Sequence, residues 1–241
     1  MIKNFDFVPP SSDASSPALD VPAPESTVRF HAREASATPY EQRPTWLVAI
    51  GGSAGSLSPL RVLLSGLAPG ADVAYVAVVH FPESALPQLA EILGSTSALP
   101  IVPAAHGVSI ETGHIYLVAR GPYALCLQPE TQQFSVCLSR GKRDASIANA
   151  MFESVATSHG DRAIGIALSG NEDCVAGLRK IREHGGIVLV QSPIEAIHPE
   201  APEAALRWVD ATSCAGVDEL VLYLAELCRS SDSAQPLAKT W

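Results

Sequence analysis

A glycine-rich turn around Ser53 is the feature of this chain with the clearest chemical potential. Residues 51–55 read G-G-S-A-G, follow the apolar run 46–50 and precede a segment with helical spacing. This G-x-S-x-G pattern between a strand and a helix presents a serine hydroxyl to a substrate. Glycines allow the tight backbone, and the N–H groups after the serine can stabilise an oxyanion. The turn predicts a nucleophile for acyl transfer; a phosphate-binding turn is the alternative, although neither G-x-G-x-x-G nor the Walker pattern fits.

Two more residues of the right types follow apolar runs further along the chain. His80 ends the run 73–79, and Asp173 follows the run 164–168 after a short loop. Serine, histidine and aspartate form the nucleophile, base and orienting carboxylate of acyl-transfer hydrolases. Each residue also has an ordinary structural explanation: His80 as a hydrogen-bonded histidine, and Asp173 as the N-cap of the next helix, a role compatible with catalysis. The neighbouring Cys174 is predicted to be a small buried hydrophobe rather than a thiol nucleophile.

The elements that must position these residues alternate between strands and helices. Such alternation predicts an α/β fold: a doubly wound, mostly parallel sheet with helices on both faces, in three αβα layers and a single domain. In such sheets, ligands bind beyond the carboxyl ends of the strands, where Ser53, His80 and Asp173 fall. The predicted strands are 47–50, 73–79, 101–104, 115–118, a hairpin of 124–127 with 134–138, 164–168 and 187–190. The predicted helices are 58–67, 84–93, 146–158, 175–184, 202–209 and 217–227.

Composition sets the boundaries of the domain. Residues 1–44 are rich in Pro, Ser and Ala and lack apolar periodicity, and residues 229–241 are similarly polar, so both are predicted to be disordered tails. The folded domain is expected to span 45–228. The chain shows no secretory signal pattern and no apolar run long enough for a membrane span, so we expect a cytoplasmic protein without membrane insertion.

Charge and cysteine content exclude several classes of function. The formal net charge of −9 disfavours nucleic acid as a partner. The five cysteines are odd in number and form no C-x-x-C pair, which favours reduced thiols over a disulfide framework or a zinc site. This cysteine pattern indicates no redox role.

Taken in order, three segments resemble the catalytic domain of the CheB-type chemotaxis receptor methylesterases. The family pattern is A-I-G-x-S-x-G, then V-x-H-x-P, then L-[ST]-G followed by an aspartate. Here the corresponding runs are A-I-G-G-S-A-G at 49–55, V-V-H-F-P at 78–82 and L-S-G-N-E-D at 168–173. The similarity covers most of residues 46–228.

The resemblance implies a serine esterase that hydrolyses glutamate methyl esters on chemoreceptors in chemosensory adaptation, with glutamine deamidation in some members. It assigns Ser53 as nucleophile, His80 as general base and acid, and Asp173 as the carboxylate that orients the imidazole. Backbone N–H groups near Ala54 and Asn171 are the candidates for the oxyanion site. The implied partner is a methyl-accepting chemoreceptor, and the resemblance implies a reaction without metal or organic cofactor.

Departures from the family pattern support an alternative hypothesis. Many members carry Ser-Thr-Gly-Gly at the turn, whereas residues 53–56 are S-A-G-S, and the acidic segment is one residue shorter here. Residues 1–44 are also too short and polar to be the receiver domain that precedes the catalytic domain in many members. The alternative is a catalytically weakened CheB-like domain that serves as a binding or regulatory module. In either case the N-terminal tail is a candidate tether to chemosensory array proteins.

Overall fold

A computed structural model describes residues 44–120, 124–137, 146–171 and 174–229. The predicted tails lie outside this set except for Pro44 and Arg229, and so does Asp173. The strands are β1 (Trp46–Gly51), β2 (Val73–Pro82), β3 (Ile101–Pro103), β4 (Ile115–Arg120), β5 (Ala124–Gln128), β6 (Gln133–Cys137), β7 (Ala163–Ala167), β8 (Ile187–Gln191) and β9 (Ser213–Ala215). The helices are α1 (Leu57–Ser65), α2 (Leu86–Gly94), α3 (Ile147–His159), α4 (Val175–Glu183), α5 (Glu200–Trp208) and α6 (Val217–Arg229). Within these ranges, no helix is both long and apolar enough to cross a membrane.

Seven of the strands form one parallel sheet in the order β3-β4-β2-β1-β7-β8-β9. The central strand β1 is buried along its whole length, as its unbroken apolar run W-L-V-A-I-G requires of a strand covered on both faces. The chain runs outward from β1 through β2 and then returns to pair β7 on the other side of β1. The strand order therefore reverses at β1, and in such sheets ligands usually bind beyond the carboxyl end of the strand at this point.

Helices cover both faces of the sheet, as the sequence predicts. On one face, Val48 and Ile50 of β1 share an apolar cluster with side chains of α1, α2 and α6. On the other face, Leu47 and Ala49 share a second cluster with side chains of α3, α4 and α5. Because successive strand residues point to opposite faces, one strand supplies both cores. The doubly wound, three-layer αβα architecture is therefore confirmed.

A separate antiparallel hairpin of β5 and β6 corrects one expectation. Cys126 pairs in register with Ser135, which lies two residues from Cys137 on the same face of the hairpin. Cys126 and Cys137 therefore lie diagonally opposite and form a disulfide with a Cα–Cα distance of 5.9 Å. The prediction that all five cysteines are reduced is wrong. Cys126 and Cys137 come together because of the hairpin register, which their spacing in the sequence does not indicate.

Candidate active site

The turn that carries Ser53 leaves the carboxyl end of β1. The N–H of Ser56 donates to the Ser53 carbonyl at 3.2 Å, and Oγ of Ser56 donates to the same carbonyl at 2.8 Å. Gly55 takes a left-handed φ of 75°, whereas among the described non-glycine residues only Gln132 has a positive φ. Glycine, not the serine, carries the unusual conformation. The structure differs slightly from the predicted direct passage from the serine turn into a helix. Helix α1 begins at Leu57, and the turn closed by the Ser56-to-Ser53 hydrogen bonds separates the helix from Ser53.

The Ser53 side chain contacts the segment that follows β7. The backbone N–H of Asn171 donates to Oγ of Ser53 at 2.9 Å, and the N–H of Ser53 donates to the carbonyl of Ser169 at 3.1 Å. Gly170, between them, has a φ of 148°, and a Cβ there would lie 2.6 Å from the Ser53 nitrogen. Only glycine allows the two backbones to approach this closely.

His80 lies near the carboxyl end of β2, the strand that pairs with β1. Gly51 is in register with Val78, so Ser53 and His80 each lie two residues beyond one matched pair. The register between β2 and β4 shifts between Val78 and Pro82, which makes the strand irregular where His80 occurs. Irregular strand ends of this kind commonly re-aim a side chain beside an active site. The His80 side chain is exposed.

Asp173 falls in the gap between Asn171 and Cys174, so its predicted role stays a prediction. Asn171 and Cys174 are the described residues that flank it. Cys174, not Asp173, occupies the N-cap position of α4, without a side-chain capping bond. Cys174 itself is buried, with 3% exposure, as predicted for a small hydrophobe.

Ser169 makes three hydrogen bonds with its hydroxyl and N–H beside the Ser53 turn, although no motif in the sequence marks it as a site residue. Its fully buried hydroxyl donates to the Ala54 carbonyl at 2.9 Å and accepts from the His198 N–H at 2.9 Å. Its own N–H donates at 2.8 Å to Oε1 of Gln191, a buried side chain at the end of β8. The hydroxyl inside the L-S-G run was the available signal, since a buried polar group must find partners.

His198 lies beside the Ser53 turn, and no sequence motif indicates it. It lies near the end of the loop that joins β8 to α5, and its carbonyl accepts from the Gly170 N–H at 2.9 Å. A Cβ placed on Gly55 would lie 3.3 Å from Cδ2 of the His198 ring. Nδ1 of the ring lies 3.9 Å from Oε2 of Glu200. The described part of the chain contains no cluster of three or more His, Cys, Asp or Glu side chains suited to a metal ion.

A parallel α/β sheet with a serine turn at its switch point defines the structural class of this chain. Residues 48–224 match the family model for the CheB methylesterase domain. The chain belongs to the CheB methylesterase family.

Curated relatives and a solved structure agree with this assignment. A protein-glutamate methylesterase/protein-glutamine glutaminase of Cupriavidus pinatubonensis is 31% identical over 76% of this chain and 54% of its own length. One from Myxococcus xanthus is 29% identical over 88% of this chain and 59% of its own length. The crystal structure of the Thermotoga maritima CheB methylesterase catalytic domain matches with a TM-score of 0.70 at 23% identity, covering 76% of this chain and 98% of that one. The chain thus spans about half the length of these curated relatives, and the whole length of the solved catalytic domain.

Proposed function

We propose that this protein is a serine esterase that hydrolyses glutamate methyl esters on chemoreceptors in chemosensory adaptation. The observation that carries the proposal is the contact of Ser53 Oγ with the Asn171 N–H at the carboxyl end of the central strand. That contact falls within the residues matched by the CheB methylesterase model. A methylated receptor is therefore the proposed partner, and the cytoplasm the proposed compartment.

The proposed reaction proceeds through an acyl-enzyme. Oγ of Ser53 attacks the ester carbonyl while His80 takes the hydroxyl proton, and Asp173 holds the imidazole in the required tautomer. The tetrahedral intermediate collapses as His80 returns the proton to the leaving oxygen, which departs as methanol. Water, deprotonated by His80, then cleaves the acyl-enzyme and releases glutamate and free Ser53. With ammonia as the leaving group, the same steps deamidate glutamine, the second activity in the relatives' names.

Backbone donors on two sides of Ser53 support the oxyanion role proposed for Asn171 and Ala54. The Asn171 N–H already reaches Oγ of Ser53 at 2.9 Å, so it is close to the carbonyl oxygen of any acyl group attached there. The Ala54 N–H belongs to the peptide that follows Ser53 directly, and the carbonyl of that peptide accepts hydrogen bonds from the N–H and the hydroxyl of Ser56. Donors held in advance stabilise negative charge without reorganisation during the reaction.

Methanol release from a methylated receptor fragment tests the proposal. Ser53→Ala should abolish release, whereas Ser95→Ala, which removes an exposed hydroxyl bonded to the Ile92 carbonyl, should not change it. Labelling with a fluorophosphonate probe, located by mass spectrometry, identifies the nucleophile independently. Methanol release that is unchanged in Ser53→Ala would refute the proposal. Normal receptor binding with neither turnover nor labelling would instead support the binding-module alternative.

A further inference from the structure

We propose that His198 contacts the substrate and determines specificity at the Ser53 site, although it lies outside the Ser53, His80 and Asp173 set. The inference rests on the proposed esterase function and deepens it. The loop between β8 and α5 approaches the nucleophile turn, and His198 is its one aromatic residue.

The position of the His198 ring is the first line of support. Gly55, two residues after Ser53, approaches the loop so closely that an added Cβ would lie 2.8 Å from Cβ of Ile197 and 3.3 Å from Cδ2 of His198. The ring therefore packs against the turn that presents the nucleophile. The His198 side chain is nevertheless 44% exposed, so part of the ring remains available to a bound molecule.

Two hydrogen bonds hold the backbone of His198 in place, and a third connects their partner Ser169 to the nucleophile turn. The His198 N–H donates to Oγ of Ser169 at 2.9 Å, and that hydroxyl donates at 2.9 Å to the Ala54 carbonyl. The His198 carbonyl accepts from the N–H of Gly170 at 2.9 Å. Because Ser169 and Gly170 also contact Ser53, the backbone that carries the ring has a defined location relative to the reacting hydroxyl.

Glu200 lies beside the ring. Its Oε2 is 3.9 Å from Nδ1 of His198, beyond hydrogen-bond distance, and both side chains are partly exposed. A neutral imidazole carries one hydrogen-bond donor and one acceptor. Such a ring beside the nucleophile turn suits the backbone N–H and carbonyl groups of a substrate near the ester-bearing side chain. A protein substrate has several such groups, and a small ester has few.

The test compares two substrates on the same protein. Steady-state kcat/KM is measured for the methylated cytoplasmic fragment of a chemoreceptor and for p-nitrophenyl acetate, and their ratio is the readout. In His198→Ala, this ratio should fall roughly five- to tenfold, the effect of losing one hydrogen-bonding contact, mainly through a higher KM for the fragment. His198→Gln places an amide near the position of Nε2 and should retain part of the preference.

His184→Gln is the matched control, because His184 is an exposed histidine at the end of α4, bonded to the Lys180 carbonyl. The ratio of kcat/KM for the receptor fragment to kcat/KM for p-nitrophenyl acetate in this variant should equal that of the wild type. An unchanged ratio in His198→Ala would overturn the inference, whether both rates fall together, as a purely structural role requires, or neither changes. A wild-type protein that does not release methanol from the fragment would refute the proposed function itself and remove this inference with it.

Discussion

The backbone N–H of Asn171 donates a 2.9 Å hydrogen bond to Oγ of Ser53, across a sequence separation of 118 residues. The two residues follow β7 and β1, which are neighbours in the sheet. The contact therefore depends on strand pairing, and it links the nucleophile turn to the segment that leads toward Asp173. Substitutions that disturb this link should affect chemistry and stability together.

Gly170→Ala should impair Ser53 directly. The new Cβ would overlap Oγ of Ser53 and strain a backbone with a φ of 148°. A displacement of about 1 Å at a reacting group can lower the rate on the order of 100-fold, and we expect a loss of that size in fluorophosphonate labelling. Backbone strain should also lower the free energy of unfolding by about 1–3 kcal/mol, measured in urea.

The control for this variant is Gly94→Ala. Gly94 ends α2, and an added Cβ there meets nothing within 4 Å. Its labelling rate should match the wild type, and its free energy of unfolding should stay within about 0.5 kcal/mol. Equal labelling rates in the two glycine variants would show that Gly170 does not constrain Ser53.

Ser169→Ala should destabilise the protein from within the site. The substitution leaves the Ala54 carbonyl and the His198 N–H without the hydroxyl that pairs both. An unsatisfied buried group costs about 1–3 kcal/mol, and because both partners here are only partly buried, the unfolding free energy should fall by about 1 kcal/mol, the lower end of that range. Chemical denaturation measures the change. Ser65→Ala removes an exposed hydroxyl bonded to the Val62 carbonyl, so its free energy of unfolding should stay near that of the wild type. If Ser169→Ala lowered the free energy of unfolding as little as Ser65→Ala does, the hydrogen bonds of Ser169 would not stabilise the fold.

Tyr116 predicts a specific loss of stability at alkaline pH. Burial raises the pKa of its phenol to about 12. A folded-state pKa above the usual 10 means that the contribution of this group is fully present below pH 10 and is lost as pH rises from 10 to 12. Tyr116→Phe should be less stable at neutral pH, because the Glu111 N–H and the Ser109 carbonyl lose their partner.

Urea unfolding measured at successive pH values checks this prediction. The stability advantage of the wild type over Tyr116→Phe should narrow above pH 10, while the contribution of other buried phenols such as Tyr75 cancels in the difference. If the difference in free energy of unfolding between the wild type and Tyr116→Phe stayed constant to pH 12, ionisation of the buried Tyr116 phenol would not be the cause of the alkaline loss.

The Cys126–Cys137 disulfide should stabilise the hairpin measurably. The bond closes a loop with a sequence separation of 11, and the chain-entropy model assigns roughly 2–3 kcal/mol to a loop of that size. Dithiothreitol should lower the unfolding free energy of the wild type by this amount and leave a Cys126→Ser/Cys137→Ser variant unaffected. Without reductant, the unfolded wild type should titrate three thiols, and five would exclude the bond.

The sequence predicts the fold well where burial dictates the pattern. Strands such as β1 are unbroken apolar runs, and helix α6 repeats apolar residues at helical spacing, so both were located to within a few residues. The edge strand β9 was missed because three residues carry too little periodicity to be recognised. The disulfide was missed because its pairing depends on hairpin register.

The site could be predicted only in part. Ser53 and His80 follow apolar runs, and the parallel register places them at equivalent distances beyond one residue pair. Ser169, Gln191 and His198 could not be selected in the same way, because their roles arise from contacts between residues far apart in the chain. Within loops, a polar side chain gives no periodic signal, and only the folded backbone shows which ones turn inward.

The central location of β1 also predicts that the backbone amides around the site exchange at two different rates. With β2 and β7 bonded on either side, the amides of β1 should exchange with deuterated water only through global unfolding. The surface loop at 192–199 is bonded through Ser192 to the end of β9 and through His198 to the segment after β7, whereas Ile194 in its middle is 96% exposed. The middle of the loop should therefore exchange through local opening, while the nucleophile turn and the His198 backbone stay fixed.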